Sequence, residues 1–231
     1  LSAAVHLARI GYPDLDVPAT VGQVEAMTQL AALRLASSPT DHARLLRLNH
    51  FLFEEMGLRG DLADYYDPRN SFLNDVLSRR TGIPISLSVL YMAVGQRVGL
   101  VISGIGLPAH FVVRHEIGDP MHRVYVDPFH RQILPNREAC RRLVSRITGR
   151  DVQLDDGDFQ PQSTRQIIVR MLANLKTCYL RRHDFVQTVA VMDHLLILLP
   201  ADAQQWRDRG LLHYQMGNYK QAEADLGPYL W

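Results

Sequence analysis

The chain has 231 residues, of which 47% are hydrophobic and 21% are charged, as in an ordinary globular protein. Its formal net charge of +1 gives no general attraction to nucleic acid or to acidic membranes, so we expect neither as a partner. The longest apolar runs, such as Leu195–Leu199, are too short to span a bilayer. Because the first residues lack a basic segment followed by an apolar one, we also expect no signal peptide.

The chain contains two cysteines, Cys140 and Cys178, which are too few for a disulfide framework. We therefore expect both to be reduced thiols in a cytoplasmic protein.

The first 57 residues predict three helices. An apolar segment over Leu1–Ile10 ends at Gly11, and apolar residues at helical spacing predict a second helix over Thr20–Ala36. A third helix begins near Thr40, a residue suited to capping, and ends at Gly57.

Residues 58–70 predict a structured loop that lies over the core, because turn-forming residues flank the adjacent aromatic pair Tyr65 and Tyr66. A short helix over Ser71–Arg80 follows and is broken at Gly82 and Pro84 before a central helix.

The central helix carries apolar residues on more than one face, which indicates burial: Leu87, Leu90, Tyr91, Val94 and Val98. Three short β-prone runs then predict strands over Val101–Gly106, His110–Arg114 and Arg123–Asp127. The short gaps between them favour antiparallel pairing. A further helix over residues 136–148 precedes an acidic linker near residues 154–163.

After the linker the pattern is helical and repeats with an offset of 34 residues, which pairs Leu175 with Arg209 and Phe185 with Tyr219. This period and these residue types resemble the tetratricopeptide repeat. We therefore predict two parts: a first domain over residues 1–150 and two helical repeats over residues 162–231. Two repeats are fewer than usually stand alone, so we expect them to pack on the first domain.

A helix followed by strands that carry first a histidine and then an acid is the order of parts in papain-like and transglutaminase-like cores. Here the histidine is His110 and the acid is Asp127. In such cores the nucleophile is a cysteine at the N-terminus of the helix, and this chain has no cysteine there.

The run DYYDPRNSFLNDVLSRRTGIPISLSVLY, followed by GLPAHFVV, VYVDPF and the repeats, resembles the bacterial SirB-type family. That family joins a transglutaminase-like core to tetratricopeptide-like repeats, so the resemblance implies an α+β fold with a helical N-terminal part and an all-α repeat pair. It also implies that His110 and Asp127 correspond to the catalytic histidine and acid. Matching Gly99 to the superfamily pattern puts Pro84, Ile85 or Ser86 where the cysteine belongs.

Ser86 is the hydroxyl that could replace the thiol. A helix N-terminus stabilises an anion by up to ~2 kcal/mol, which helps a thiol to ionise but is far too little for an alcohol. Ser86 would therefore need His110 as a base, with Asp127 fixing the tautomer of that histidine. The alternative is that Ser86 caps the helix and that the His110–Asp127 pair holds two strands together or binds a ligand.

Four further residues of the same motif are candidates for lining the cleft: Tyr65, Asn70, Asn74 and Arg80. The three polar ones could face a peptide or donate to an oxyanion, but helix caps and loop anchors are the alternative. His115, His122 and His130 lie near the strands, but their spacing matches no compact metal motif. We expect no metal and no cofactor.

The sequence therefore favours a non-catalytic, vestigial transglutaminase-like protein that acts as an adaptor and binds a protein or peptide through its cleft and repeats. The alternative is a hydrolase or acyltransferase with a Ser86–His110–Asp127 triad. DNA binding is a third class, indicated only by the arginine pairs Arg141–Arg142 and Arg181–Arg182, and no basic recognition helix supports it.

Overall fold

The computed structural model of the chain describes residues 1–116 and 123–227. Within these ranges the α-helices are α1 Ser2–His6, α2 Val17–Leu35, α3 Asp41–His50, α4 Leu73–Arg79, α5 Pro84–Arg97, α6 Arg137–Thr148, α7 Thr164–Arg181, α8 Phe185–Leu198, α9 Ala203–Gln215 and α10 Tyr219–Leu226. The strands are β1 Arg59–Gly60, β2 Thr81–Gly82, β3 Ile102–Ile105, β4 Val112–Glu116, β5 Arg123–Asp127 and β6 Gln132–Leu134. None of the helices in the described ranges is long and apolar enough to cross a membrane.

The N-terminal helices begin at side-chain caps. The Asp16 carboxylate accepts a hydrogen bond from Ala19 N–H at the start of α2, and the Thr40 hydroxyl accepts one from Ala43 N–H at the start of α3. Two predicted helices are less regular than the sequence indicates. The segment over Leu1–Ile10 changes from α-helix to 3₁₀-helix at Leu7, and the third helix ends in a π-helical turn over Phe51–Glu55.

The main sheet is antiparallel, with the strand order β3-β4-β5-β6. Strand β6 is a fourth strand that the sequence did not predict. Strand β4 begins at Val112 rather than His110, because a turn precedes it: Ala109 has φ +55°, and His110 N–H donates to the Leu107 carbonyl at 3.2 Å.

The two faces of the sheet belong to two apolar clusters. Val113 and Val126 are register partners and face the larger cluster, which contains the whole buried part of α5. Their neighbours Val112 and Tyr125 point to the opposite face, as alternate residues of a strand must, and pack with Cys140 and other residues of a smaller cluster.

Helices α7–α10 form two successive helix pairs, as the 34-residue offset predicts. The first pair is part of the larger core, because Met171, Leu172 and Leu175 of α7 are buried in the same cluster as α5. The second pair is closely packed at Gly210, where a Cβ atom would lie 2.7 Å from Leu226 Cγ. The first helix pair and the first part of the chain therefore share one apolar core.

The packing around strand β1 can be tested by substitution at Gly60. A Cβ atom at this position would lie 2.6 Å from Cδ2 of the Phe129 ring, whereas a Cβ atom at Gly22, in the exposed middle of α2, meets nothing within 4 Å. We expect Gly60→Ala to lower the free energy of unfolding by about 1–3 kcal/mol through overpacking. The matched Gly22→Ala should raise it by roughly 0.5–1 kcal/mol through helix propensity. Urea unfolding measures both values, and equal changes in the two variants would show that the Phe129 ring does not confine Gly60.

Candidate functional site

His110 lies in the turn before β4 and its side chain is buried, with 3% exposed. The backbone of this turn is held from a distant part of the chain. Arg170 Nη2 on α7 donates to the carbonyl oxygens of Leu107 and His110, each at 2.5 Å, and the guanidinium lies over the Phe111 ring. The first repeat helix thus fixes the segment that carries the candidate histidine.

Asp127 ends strand β5, and its carboxylate has no exposed surface. Its Oδ1 accepts hydrogen bonds from Phe129 N–H at 3.1 Å and His130 N–H at 3.3 Å, and its Oδ2 accepts one from Gln132 Nε2 at 3.2 Å. These donors fix the carboxylate in a turn after the strand. Because donors surround both oxygens, the side chain can remain ionised although it is buried.

The structure brings His110 and Asp127 together, as adjacent strands should. His110 Nε2 lies 3.0 Å from Asp127 Oδ1, but the direction of this contact does not meet hydrogen-bond geometry. Burial raises the pKa of the Asp127 carboxyl, but the neighbouring imidazoles of His110 and His130 lower it by more and hold it well below its usual range.

His130 belongs to the same cluster. Its Nδ1 lies 2.6 Å from Asp127 Oδ2, and its ring centroid lies 5.5 Å from that of His110. The sequence did not predict that His130 belongs to the site. Its position three residues after Asp127, at the end of a strand, is the pattern that indicates it, because a turn there brings the imidazole back to the carboxylate. Of the other two histidines, His115 donates through Nδ1 to the Val101 carbonyl at 3.0 Å, and His122 lies outside the described residues.

Ser86 is fully buried in the first turn of α5. Its hydroxyl donates to the Asn70 carbonyl at 2.6 Å and accepts from Ile83 N–H at 3.1 Å. The contact with Asn70 connects the start of α5 to the segment before α4, and the contact with Ile83 caps α5. Neither directs the hydroxyl to His110.

A small cavity of about 80 Å³ lies where the start of α5 meets the His110 turn. Among the described residues its lining is Tyr65, Pro84, Ile85, Ala109, His110, Phe111, Arg170 and Asn174. Two residues of α5 share this cavity with His110, Pro84 and Ile85, and both are apolar and buried.

Tyr65 is the one of the four proposed cleft residues that lines this cavity. Asn70 is buried and anchors the loop that carries Tyr65. Its Nδ2 donates to the Asp64 carbonyl, and its Oδ1 accepts a hydrogen bond from Arg79. Asn74 Oδ1 is buried without a hydrogen-bond partner in the described structure. Arg80 ends α4 in the left-handed conformation, and its carbonyl accepts from Arg59 N–H.

The loop that carries Tyr65 is held by the buried carboxylate of Asp67. Arg69 Nη2 lies 2.7 Å from Asp67 Oδ2, and Arg79 Nη2 lies 3.4 Å from it. Burial raises the pKa of Asp67, but the hydrogen bonds from Arg69 and the charge of Arg79 lower it by more and hold it below its ordinary value. The loop also contacts the repeat helices, because Arg181 lies over the Tyr66 ring at 3.9 Å.

Neither cysteine replaces the missing nucleophile. Burial raises the pKa of the Cys140 thiol to about 12 and that of the Cys178 thiol to about 11. Both side chains are buried, and neither is among the described residues that line the cavity beside His110. At neutral pH both are protonated thiols, which are poor nucleophiles.

Comparison with known proteins gives two family matches. The model of a family described as "Transglutaminase-like superfamily" matches residues 19–173, and that of the tetratricopeptide repeat matches residues 175–230. No solved structure gives a significant match.

Curated proteins similar to this chain include two UPF0162 proteins. That of Xylella fastidiosa (strain 9a5c) is 34% identical over 233 residues, which cover 100% of this chain and 82% of the relative. That of Vibrio cholerae serotype O1 is 30% identical over 195 residues, which cover 84% of this chain and 72% of the relative. F-box only protein 21 of Homo sapiens is 27% identical over 180 residues, which cover 74% of this chain but 28% of that protein.

The Asp67 carboxylate predicts a stability that depends on pH. Because its folded pKa is lowered, its contribution is fully present above the unfolded value of ~3.9 and is lost as the pH falls through the folded pKa. Asp67→Asn should therefore lower the free energy of unfolding by roughly 1–3 kcal/mol near neutral pH, with a deficit that shrinks below about pH 4. Urea unfolding across pH measures the difference from wild type, and the exposed Asp14→Asn is the control. A deficit that stays constant on acidification would contradict the assignment.

Proposed function

We propose that this chain, which belongs to the transglutaminase-like superfamily and carries a tetratricopeptide repeat region after its core, is a non-catalytic member that binds a protein partner. Its full-length similarity to UPF0162 proteins agrees with the SirB-type organisation expected from the sequence. The proposal has two parts, the loss of thiol chemistry in the core and the binding of a partner by the repeats.

The observation that carries the first part is the side chain of Ile85. It shares the cavity with His110 at the first turn of α5, where a transglutaminase-like enzyme needs a nucleophile. The sec-butyl side chain of Ile85 and the ring of Pro84, which lines the same cavity, have no nucleophilic lone pair and no acidic proton to give to His110. His110 and Asp127 are present, but among the described residues of α5 that line the cavity none has a nucleophilic side chain.

The alternative is acyl transfer by Ser86 with His110 and Asp127. For that reaction the Ser86 hydroxyl would have to leave the Asn70 carbonyl and reach the cavity on the other side of Ile85. Leaving the Asn70 carbonyl and the Ile83 N–H unpaired in the core would cost about 1–3 kcal/mol for each group. The hydrogen bonds of Ser86 therefore support a capping role.

The second part is supported by the size of the cavity and by the surface of the repeats. Pockets that bury a drug-sized ligand have volumes of at least about 300 Å³, whereas the cavity at His110 has about 80 Å³ and is too small for a peptide. On the second helix pair, by contrast, Leu211, Tyr214 and Tyr219 are each more than half exposed, and the two tyrosine rings contact each other. Exposed tyrosines are common anchors in protein interfaces.

The first experiment uses a serine-directed fluorophosphonate probe on the purified full-length chain. We expect no labelling above the background given by Ser86→Ala, because the hydroxyl is buried and hydrogen-bonded away from His110. Labelling that is lost in both Ser86→Ala and His110→Ala would instead establish the triad. The exposed Ser37→Ala is a control for non-specific reaction at a surface hydroxyl.

The second experiment is quantitative affinity capture from cells of the source organism. Tyr214→Ser combined with Tyr219→Ser should reduce capture of a specific partner at least roughly fivefold, because interface tyrosines commonly contribute more than 1 kcal/mol each. His110→Ala and the exposed Leu33→Ser should leave capture unchanged, the latter as a matched control for removing surface hydrophobicity. Partners that are lost only with His110→Ala would move recognition to the core and contradict this assignment to the repeats.

A further inference from the structure

Three potential metal ligands converge at the end of β5. In the described part of the chain, His110, Asp127 and His130 form the one group of three such side chains whose ligand atoms all lie within 4.8 Å of one another. The two imidazoles lie on either side of the carboxylate: His110 Nε2 is 3.0 Å from Oδ1, and His130 Nδ1 is 2.6 Å from Oδ2. The group does not depend on a sequence motif, because the chain separates His110 from the other two ligands by most of two strands.

The spacing is close to that of a bound ion. A tetrahedral Zn²⁺ site with metal–nitrogen distances of about 2.0–2.1 Å has neighbouring ligand atoms about 3.3 Å apart. The widest pair in this cluster would therefore have to close by at most about 1.5 Å, which side-chain rotation provides. Two nitrogen ligands and one carboxylate oxygen are a donor set that suits zinc and other divalent first-row metals.

His110 gives an independent indication of a ligand. Its Nε2 is buried, faces the carboxylate and has no hydrogen bond of acceptable geometry in the described structure. Buried polar atoms are nearly always satisfied, and the Asp127 contact at 3.0 Å satisfies this nitrogen poorly. A metal ion between Nε2 and the carboxylate would supply a better partner.

The Asp127 carboxylate is held in a fixed orientation, as the carboxylate ligands of metal sites usually are. Phe129 N–H, His130 N–H and Gln132 Nε2 all donate to Asp127 and fix its orientation. Outer hydrogen bonds of this kind orient metal-binding carboxylates and contribute to affinity. The His130 side chain is 36% exposed, so an ion can reach the site from solvent and water can complete its coordination.

We propose that His110, Asp127 and His130 bind a divalent transition-metal ion, with Zn²⁺ as the expected ion, through His110 Nε2, the Asp127 carboxylate and His130 Nδ1. This site goes beyond partner binding by the repeats and does not depend on it. An ion there would join the turn before β4 to the turn after β5 and would stabilise the folded chain by mass action. Neither Asp127 nor His130 is among the described residues that line the cavity beside Ile85.

The test is titration of the chelator-treated full-length chain with Zn²⁺ by isothermal calorimetry, with protein that carries no oligohistidine tag. We expect one ion per chain for wild type and an affinity lower by at least roughly tenfold for His130→Gln. Tenfold is the lower limit because even the loss of an outer hydrogen-bond partner of a metal ligand reduces metal affinity by about 10–100-fold. The exposed His42→Gln, on α3, is the matched control and should bind as wild type does. Asp127→Asn, which keeps the shape of the ligand, is a second variant that should lose binding.

Two further readouts separate a built site from loss of folding. Cobalt(II) should give the visible absorption of a low-coordinate nitrogen–oxygen site in wild type and in His42→Gln, but not in His130→Gln. Zn²⁺ should also raise the Tm of wild type and leave that of His130→Gln unchanged, while both proteins keep the same far-ultraviolet circular dichroism. Absence of stoichiometric binding by wild type, or undiminished binding by folded His130→Gln, would overturn the proposal.

Discussion

The carboxylate of Asp127 has no exposed surface, so the donors and positive charges that keep it ionised must come from the protein itself. Two backbone N–H groups, an amide and two imidazoles surround it, and they come from the turn before β4 and the turn after β5. This one group therefore fixes how the two turns meet. Through the second turn it also places Phe129, whose carbonyl accepts from Gly60 N–H and whose ring contacts Tyr65. The loop above the cavity is thus connected to the same carboxylate.

A second constraint connects the candidate site to the repeats. Arg170 belongs to α7, yet its guanidinium holds the carbonyl of His110, 60 residues earlier in the chain. Burial lowers the pKa of this arginine. Because α7 also contributes Leu172 and Leu175 to the large core, the first repeat helix and the first domain share one apolar core. The His110 turn is therefore braced by the first repeat helix.

The sequence predicted the features that depend on local pattern. The buried central helix, three of the four strands of the main sheet and the helical repeats follow from periodicity, β-branched residues and turn formers. The α+β class follows from the family resemblance. It did not predict β6 or the two-residue pair of β1 and β2, because two or three residues carry too little pattern and gain their partners only in the folded chain. The candidate site shows the same division. His110 and Asp127 were found through their order along the chain, whereas His130 and Arg170 act through a turn and through a distant helix. The sequence predicted that the nucleophile position is Pro84, Ile85 or Ser86. It could not distinguish them, because the residue that faces His110 is determined by the contacts of the first turn of α5 in the folded chain.

The central proposal is that Ile85 occupies the nucleophile position of the fold, beside the His110–Asp127 pair. The most direct measurement is the thiolate titration of Ile85→Cys by ultraviolet absorbance, without metal, because the native thiols of Cys140 and Cys178 have pKa values of about 12 and about 11 and stay silent near neutral pH. We expect the introduced thiol to titrate below its ordinary pKa of ~8.5, since it lies at a helix N-terminus beside His110, and we expect His110→Ala in the same background to raise that pKa. An introduced thiol whose pKa lies above ~8.5 and does not respond to His110→Ala would contradict the account.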